Sequence, residues 1–190
     1  MKEEYFIAAL FGPAGSGKDS TLASVMSQNP EFNRLISDTT RPPREQEIDG
    51  LSYNFITTEE FQKKILNKEM LEYCEFNNWY YGTPISCLKE DAINIGVLNI
   101  TGIQSLMEDE RIFVYPIELK APNKIRLIRQ LNREFEPNCD EIIRRYKADK
   151  DDFADLDFHY NEIVNEDRKD MDFNVKVVSA AAQRLENKIG

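Results

Sequence analysis

Three stretches of the chain are apolar without alternation. Tyr5-Phe-Ile-Ala-Ala-Leu-Phe11 is the first, and it meets glycine abruptly. A strand covered on both faces of a parallel sheet reads this way. Val97-Leu98-Asn99-Ile100 and Ile112–Leu119 repeat the pattern, and Glu162–Asn165 predicts a late strand. Shorter strands are predicted at Arg34–Ser37, Tyr53–Ile56, Leu71–Phe76, Trp79–Tyr81 and Asn174–Val178, with Asn77-Asn78 as a turn. Helical patterns follow Lys18 to about Ser27, where Asn29-Pro30 stops the helix. Further helices are predicted over 57–67, behind the cap signal Thr57-Thr58-Glu59-Glu60, and over Cys87–Asn94, Ala121–Arg133, Asp140–Lys150 and the C-terminal end. Residues 38–50, with Pro42, Pro43 and Gly50, predict a loop.

Buried strands alternating with helices imply an α/β protein, a three-layer core around a parallel sheet. The polar stretch 37–90 interrupts that core with small strands of its own, and reads as an inserted mixed α/β subdomain. At 190 residues, 41% of them hydrophobic, the chain has the length and composition of one domain with a proper core. Its formal net charge of -10 argues against a general binder of nucleic acid or anionic membranes, which needs a basic footprint. It does not exclude a small anionic substrate held by a few placed cations. Cys74, Cys87 and Cys139 form no CxxC pair and His159 is the single histidine, which argues against zinc and against a disulfide framework. Lys2, Glu3 and Glu4 precede an apolar run too short for a signal peptide or a span, so a cytoplasmic location is expected. Asp149–Asp157 is strongly acidic and reads as a solvated face.

Chemistry enters at Gly12-Pro13-Ala14-Gly15-Ser16-Gly17-Lys18, which fits G-x-x-x-x-G-K between a predicted strand and a predicted helix. Glycines let backbone N–H groups converge on phosphate oxygens, the helix N-terminus adds positive potential, and Lys18 would reach the β- and γ-phosphates. This segment, with Asp19 and Ser20, is the expected ATP site. The position after the lysine normally carries a Ser or Thr hydroxyl for Mg²⁺. Asp19 stands there instead. Its carboxylate is a hard oxygen ligand suited to Mg²⁺; it also reads as an N-terminal acid serving the helix dipole.

Arg41 and Arg44 are three apart around Pro42-Pro43, so two guanidinium groups are pre-positioned for a phosphate. From Ser37 to Phe55 the chain fits S-x-T-T-R-x-P-R-x-x-E-x-x-G-x-x-Y-x-F, and Leu71-Glu-Tyr-Cys-Glu-Phe76 and Tyr80-Tyr-Gly-Thr83 follow the patterns F-[IL]-E-[WY] and Y-Y-G-[ST]. With the phosphate loop, these motifs closely resemble the guanylate kinase family over most of the chain. The resemblance implies that Arg41, Arg44, Tyr53 and Tyr81 hold the acceptor monophosphate, and that Glu47 supports the arginines. It implies that Ser37, Glu72 and Thr83 meet the guanine base. A carboxylate suits guanine because N1–H and N2–H₂ are adjacent donors, which adenine lacks. Trp79 and Tyr80 read equally well as packing aromatics.

Residues 124–147 carry Lys124, Arg126, Arg129, Arg133, Arg144, Arg145 and Lys147 and are net positive in an acidic chain. The resemblance makes 124–150 a mobile lid, with core segments at 1–36, 91–123 and 151–190. Arg145 fits the family's second-helix arginine; Arg133 fits the earlier one only approximately, and Arg129 is the other choice. The family's middle strand ends in D-x-D, whereas this chain has Leu98-Asn99-Ile100-Thr101-Gly102. Asn99 is expected to hydrogen-bond guanine without a charge, and Asp19 to supply the carboxylate that Asn99 lacks. Ile163-Val-Asn165-Glu-Asp167 resembles the late strand and loop that packs by the donor adenine. The implied function is ATP-dependent, Mg²⁺-assisted phosphorylation of GMP or dGMP, by Lys18, Arg41, Arg44, Arg133 and Arg145 acting on an in-line transfer. The Gly-Lys-Asp variant also occurs in ribose 1,5-bisphosphate and phage deoxynucleotide kinases, which is the second reading. A non-catalytic binding module is the third, opposed by the retained phosphate loop.

Overall fold

The computed structural model describes residues 4–186 except 45, 46, 77, 134 and 167. Asn77 of the expected turn, Glu134 of the charged stretch and Asp167 of the late segment therefore lie outside it. The apolar run forms β1 (Tyr5–Phe11), flanked on both sides by parallel neighbours, β7 (Ile93–Val97) and β8 (Ile112–Lys120). That position explains why six of its seven residues are buried. With β2 (Asn33–Arg34) and β9 (Asn161–Val164) at the edges, the sheet order is β2-β7-β1-β8-β9, parallel throughout.

Alternate residues of β1 feed two cores. Ala8 and Leu10 meet Leu22 and Val25 of α1 (Lys18–Gln28) and Val175 and Val178 of α6 (Arg168–Glu186). Ile7, Ala9 and Phe11 meet Ile103 and Leu106 of α3 (Ile100–Met107). Helices therefore cover both sheet faces. Each fully buried Leu or Ile contributes about 1.5–3 kcal/mol. Phe11 stands at the strand's C-terminal end, ringed by Phe153, Phe158 and Tyr160.

A second sheet has the order β4-β3-β6-β5, from β3 (Asp38–Thr39), β4 (Asn54–Phe55), β5 (Met70–Phe76) and β6 (Trp79–Pro84). Strands β3 and β4 are parallel, and the other pairs antiparallel. Helix α2 (Thr58–Leu66) begins at a capping box: Glu60 N–H donates to Thr57 Oγ1 and Thr57 N–H to Glu60 Oε2. Helices α4 (Asn123–Leu131) and α5 (Cys139–Asp152) stand over the loop that follows β1.

Several expected elements differ. Cys87–Asn94 is not a helix: a 3₁₀ turn over Ile85–Cys87 leads to β7, whose polar Asn94 is fully buried by hydrogen bonds to Phe6 O, Lys89 O and the Lys89 N–H. The strand expected at 97–100 ends at Val97, because Asn99 caps α3, a helix the apolar pattern did not reveal. Asn174–Val178 lies inside α6; Asn174, Val175, Val178, Ala181 and Ala182 are buried at helical spacing. The 38–50 loop opens with strand β3. Among the described residues no helix is long and apolar enough to cross a membrane.

Candidate functional site

Between β1 and α1 the chain turns through Gly12, Gly15 and Gly17, all at positive φ. A Cβ on Gly12 would lie 2.3 Å from Leu119 O, and one on Gly15 2.5 Å from Arg126 O, so both positions exclude side chains. Lys18 folds back, and its Nζ donates to Gly12 O (2.7 Å) and Pro13 O (3.1 Å). Burial pushes the Lys18 ammonium below the ordinary lysine range, while Asp19 and Asp149 pull it back. Asn165 is buried beneath the loop: its Nδ2 donates to Ser16 O at 2.8 Å and its N–H to Lys120 O. The sequence placed Asn165 by an adenine; here its side chain braces the phosphate loop.

Cations from α4 grip the same loop. Arg126 Nε donates to Ala14 O (3.0 Å), and Arg129 Nη1 donates to Gly15 O and Ser16 O (3.3 Å each). Arg126 also sits over the Tyr146 ring and pairs with Asp149. Asp149 corrects the solvated-face expectation for the acidic run. Its carboxylate accepts the Ala14 N–H at 2.9 Å and is 15% exposed. The signal was present in helical spacing, since Asp149 lies four residues after Arg145 and so shares its face.

On the other side of the cleft, the Pro42-Pro43 turn presents Arg41. Its Nη2 donates to Glu47 Oε1 (2.9 Å), Nη1 lies 2.9 Å from Oε2 and donates to Pro42 O (2.7 Å), and the guanidinium lies over Tyr53 and Phe55. Glu47 also accepts the Arg44 N–H (2.8 Å) and lies 3.6 Å from Arg133 Nη2. One carboxylate thus gathers three arginines, two from the acceptor loop and one from beyond α4. Burial works against the Arg41 charge, but Glu47 more than offsets it and the pKa lies above the usual value. Arg44, desolvated and facing Arg41, is lowered. Burial would raise Glu47, yet contacts with Arg41 and Arg44 leave it below the usual carboxylate range. Tyr53, buried and near Asp19, is pushed up to about 12, so its hydroxyl keeps its proton and can donate.

Deeper in the cleft, Ser37 Oγ and Thr83 Oγ1 are 3.1 Å apart, and the Thr83 hydroxyl donates to Glu72 Oε1 at 2.6 Å. Glu72 is 5% exposed, and its Oε2 has no hydrogen-bond partner among the described residues. Burial raises its pKa against the pull of Thr83. Gly102, at the start of α3, leaves room for this carboxylate: a Cβ there would lie 2.6 Å from Glu72 Oε2. Asn99 lines the cleft, and each end of its amide has a partner within the chain. Oδ1 accepts the Gly102 N–H (2.6 Å) and Nδ2 donates to Cys74 Sγ (3.0 Å), which places Cys74 on the cleft wall, a residue the sequence did not single out.

The cleft holds about 500 Å³ and is lined by Lys18, Ser37, Arg41, Arg44, Tyr53, Glu72, Tyr81, Asn99 and Arg145, with Asp149. Gly12 and Ala14 are its phosphate-loop rim. Tyr81 meets Tyr53 edge-on at 6.3 Å. Arg133 lines an adjoining groove with Trp79, while Tyr80 stacks on Phe61 and packs rather than facing the cleft. Arg145 Nε donates to Glu141 Oε1 (2.7 Å). Asp19 and Ser20 are exposed on the first turn of α1; neither they nor Pro13, Gly15, Ser16 and Gly17 of the preceding turn belong to the lining.

The family model for guanylate kinase matches residues 7–182. A guanylate kinase of Synechococcus elongatus is 36% identical over 144 residues, 74% of this chain and 70% of the relative. One from Mycoplasmoides gallisepticum is 34% identical over 85% of both chains, and one from Frankia casuarinae 32% identical over 97% of both. The crystal structure of guanylate kinase from Anaplasma phagocytophilum superposes with a TM-score of 0.71 over 96% of this chain and 87% of that one, at 22% identity, which is a likeness of fold.

Proposed function

The chain belongs to the guanylate kinase family, and from that premise we propose that the cleft is where GMP or dGMP receives the γ-phosphoryl group of ATP. The observation that carries the residue assignment is the cleft itself, whose one lining brings together Lys18 of the phosphate loop, Arg41 and Arg44, and a buried, half-satisfied carboxylate. Glu72 Oε1 is engaged by Thr83 and Oε2 awaits a donor, so guanine N1–H and N2–H₂ meet a prepared acceptor. Arg41, Arg44, Tyr53 and Tyr81 then take the acceptor phosphate. One of its oxygens attacks the γ-phosphorus in line, and the bond to the β-phosphate bridging oxygen breaks. Lys18, Arg133 and Arg145 offset charge on the moving group, so positioning and electrostatics do the chemistry. The stretch 37–90 acts as the acceptor-binding unit and 124–150 as the lid, closing to exclude water.

The donor set at the loop fits Mg²⁺. No cluster of three His, Cys, Asp or Glu forms a closed cage among the described residues, and an ion held by one carboxylate plus substrate phosphates needs none. Asp19 is the residue that would hold it. The ion, when bound, would offset phosphate charge. Replacing Asp19 with Ser should shift the Mg²⁺ concentration for half-maximal turnover several-fold; an unchanged requirement assigns Asp19 to the helix dipole instead.

The test of the function is coupled ADP release with ATP across GMP, dGMP, AMP, dTMP and ribose 1,5-bisphosphate. Stimulation confined to guanine nucleotides is expected; stimulation only by the ribose compound transfers the site to the second reading. Gly102→Ala probes base placement. The methyl would displace the Glu72 carboxylate by a fraction of an ångström, and misplacement of that kind costs up to about 100-fold. The φ at 102 is not in the left-handed region and Ala favours helix over Gly by about 1 kcal/mol, so KM for GMP should rise while Tm holds.

A further inference from the structure

Helix α5 delivers a carboxylate into the phosphate loop. Asp149 Oδ2 accepts the Ala14 N–H at 2.9 Å and a charged N–H of Arg126, whose own Nε donates to Ala14 O at 3.0 Å. Backbone N–H groups in loops of this kind are anion ligands. Here one of them already holds an anion, and the protein supplies it. Asp149 also lies near Lys18, and each favours the charged form of the other. No other acid of the 149–157 run has a contact of this kind among the described residues: the Asp157 carboxylate turns instead to Gln104.

We propose that Asp149 is an internal stand-in for a nucleotide phosphate, latching α5 onto the unloaded loop and yielding Ala14 N–H when a phosphorylated ligand arrives. The proposal rests on the nucleotide reading of the loop and adds to it a competitor built into the chain. The displacement is compelled by chemistry. One N–H cannot serve a carboxylate and a phosphate oxygen at full strength, and two anions at hydrogen-bond separation repel. Nucleotide entry therefore breaks the tie between α5 and the loop, and releases the Arg126 guanidinium toward the incoming charge. Ligand binding and freedom of the lid become one event, in which the affinity measured for phosphate is net of the cost of expelling Asp149.

The test is calorimetric titration of the full chain and of Asp149→Ala and Asp149→Asn with pyrophosphate and, separately, with ADP. Asp149→Ala is expected to bind both on the order of tenfold more tightly, the scale of one charge-assisted hydrogen bond. Asp149→Asn should gain less, since its amide oxygen still accepts the Ala14 N–H. Amide hydrogen exchange in α5 should rise in unliganded Asp149→Ala to the level that the natural chain reaches only with pyrophosphate. Unchanged or weaker binding in both variants overturns the proposal and makes Asp149 a structural tie. Unchanged α5 exchange in Asp149→Ala overturns the latch equally. Neither readout uses GMP, so failure of the acceptor assignment, seen in the ADP-release assay, is separate from failure here.

Discussion

Lys18→Ala should lower kcat by about 10³-fold or more, with a smaller change in the KM for ATP, as single cations at a transferring phosphoryl group are worth. Lys18 Nζ rests on Gly12 O and Pro13 O, so the ammonium is held within the loop it serves. Burial weakens its hold on the proton, and Asp19 and Asp149 oppose that. A charge held in place by two carbonyls acts on a developing anion with little reorganisation. Lys18→Arg should rescue poorly. The guanidinium is a planar fork, and the space between two backbone carbonyls of a glycine-tightened turn suits a compact ammonium. Steady-state kinetics with circular dichroism as the folding control checks both variants. Activity of Lys18→Ala within tenfold of the natural chain would remove the lysine from the transfer step.

Lys18 was legible because its motif is local: seven consecutive residues set the turn, and the strand before and helix after confirm it. The central strands were legible for the same reason, since burial on both faces leaves an unbroken apolar run, as in β1. Glu47, Tyr53 and Glu72 came from a resemblance; no spacing rule would bring Glu72 of β5 to Gly102 of α3, because that approach is tertiary. The failures have the same origin. Asn94 is polar in sequence but buried in β7 by hydrogen bonds, so its strand read as a helix. Asn174–Val178 is short and apolar, and only continuation to Ala181 and Ala182 shows its helical period. Asp149 hid in a run of acids, where composition speaks for the group and geometry singles out one member.

Glu72→Gln should reduce kcat/KM for GMP by about 100- to 1000-fold, because a site built to accept two donors loses far more than it gains when an acceptor becomes a donor. The amide keeps one oxygen for the Thr83 hydroxyl and turns its NH₂ toward the guanine N–H groups, where it repels them. The stability effect has the opposite sign. Burial raises the Glu72 pKa, so the folded chain binds a proton more tightly than the unfolded chain does. Its contribution to stability is present below the ordinary carboxylate pKa and lost as pH rises through the raised folded value. Above that raised value the ionised carboxylate weakens the fold, and Glu72→Gln should hold or raise Tm there while activity collapses. The same raised pKa gives a second readout. KM for GMP in the natural chain should climb on acidification at a pH above the ordinary carboxylate range, and this limb should vanish in Glu72→Gln. A variant that loses activity and Tm together would mark Glu72 as a packing residue, whereas loss of guanine selectivity at undiminished Tm fits a carboxylate kept buried at a cost for the base it reads.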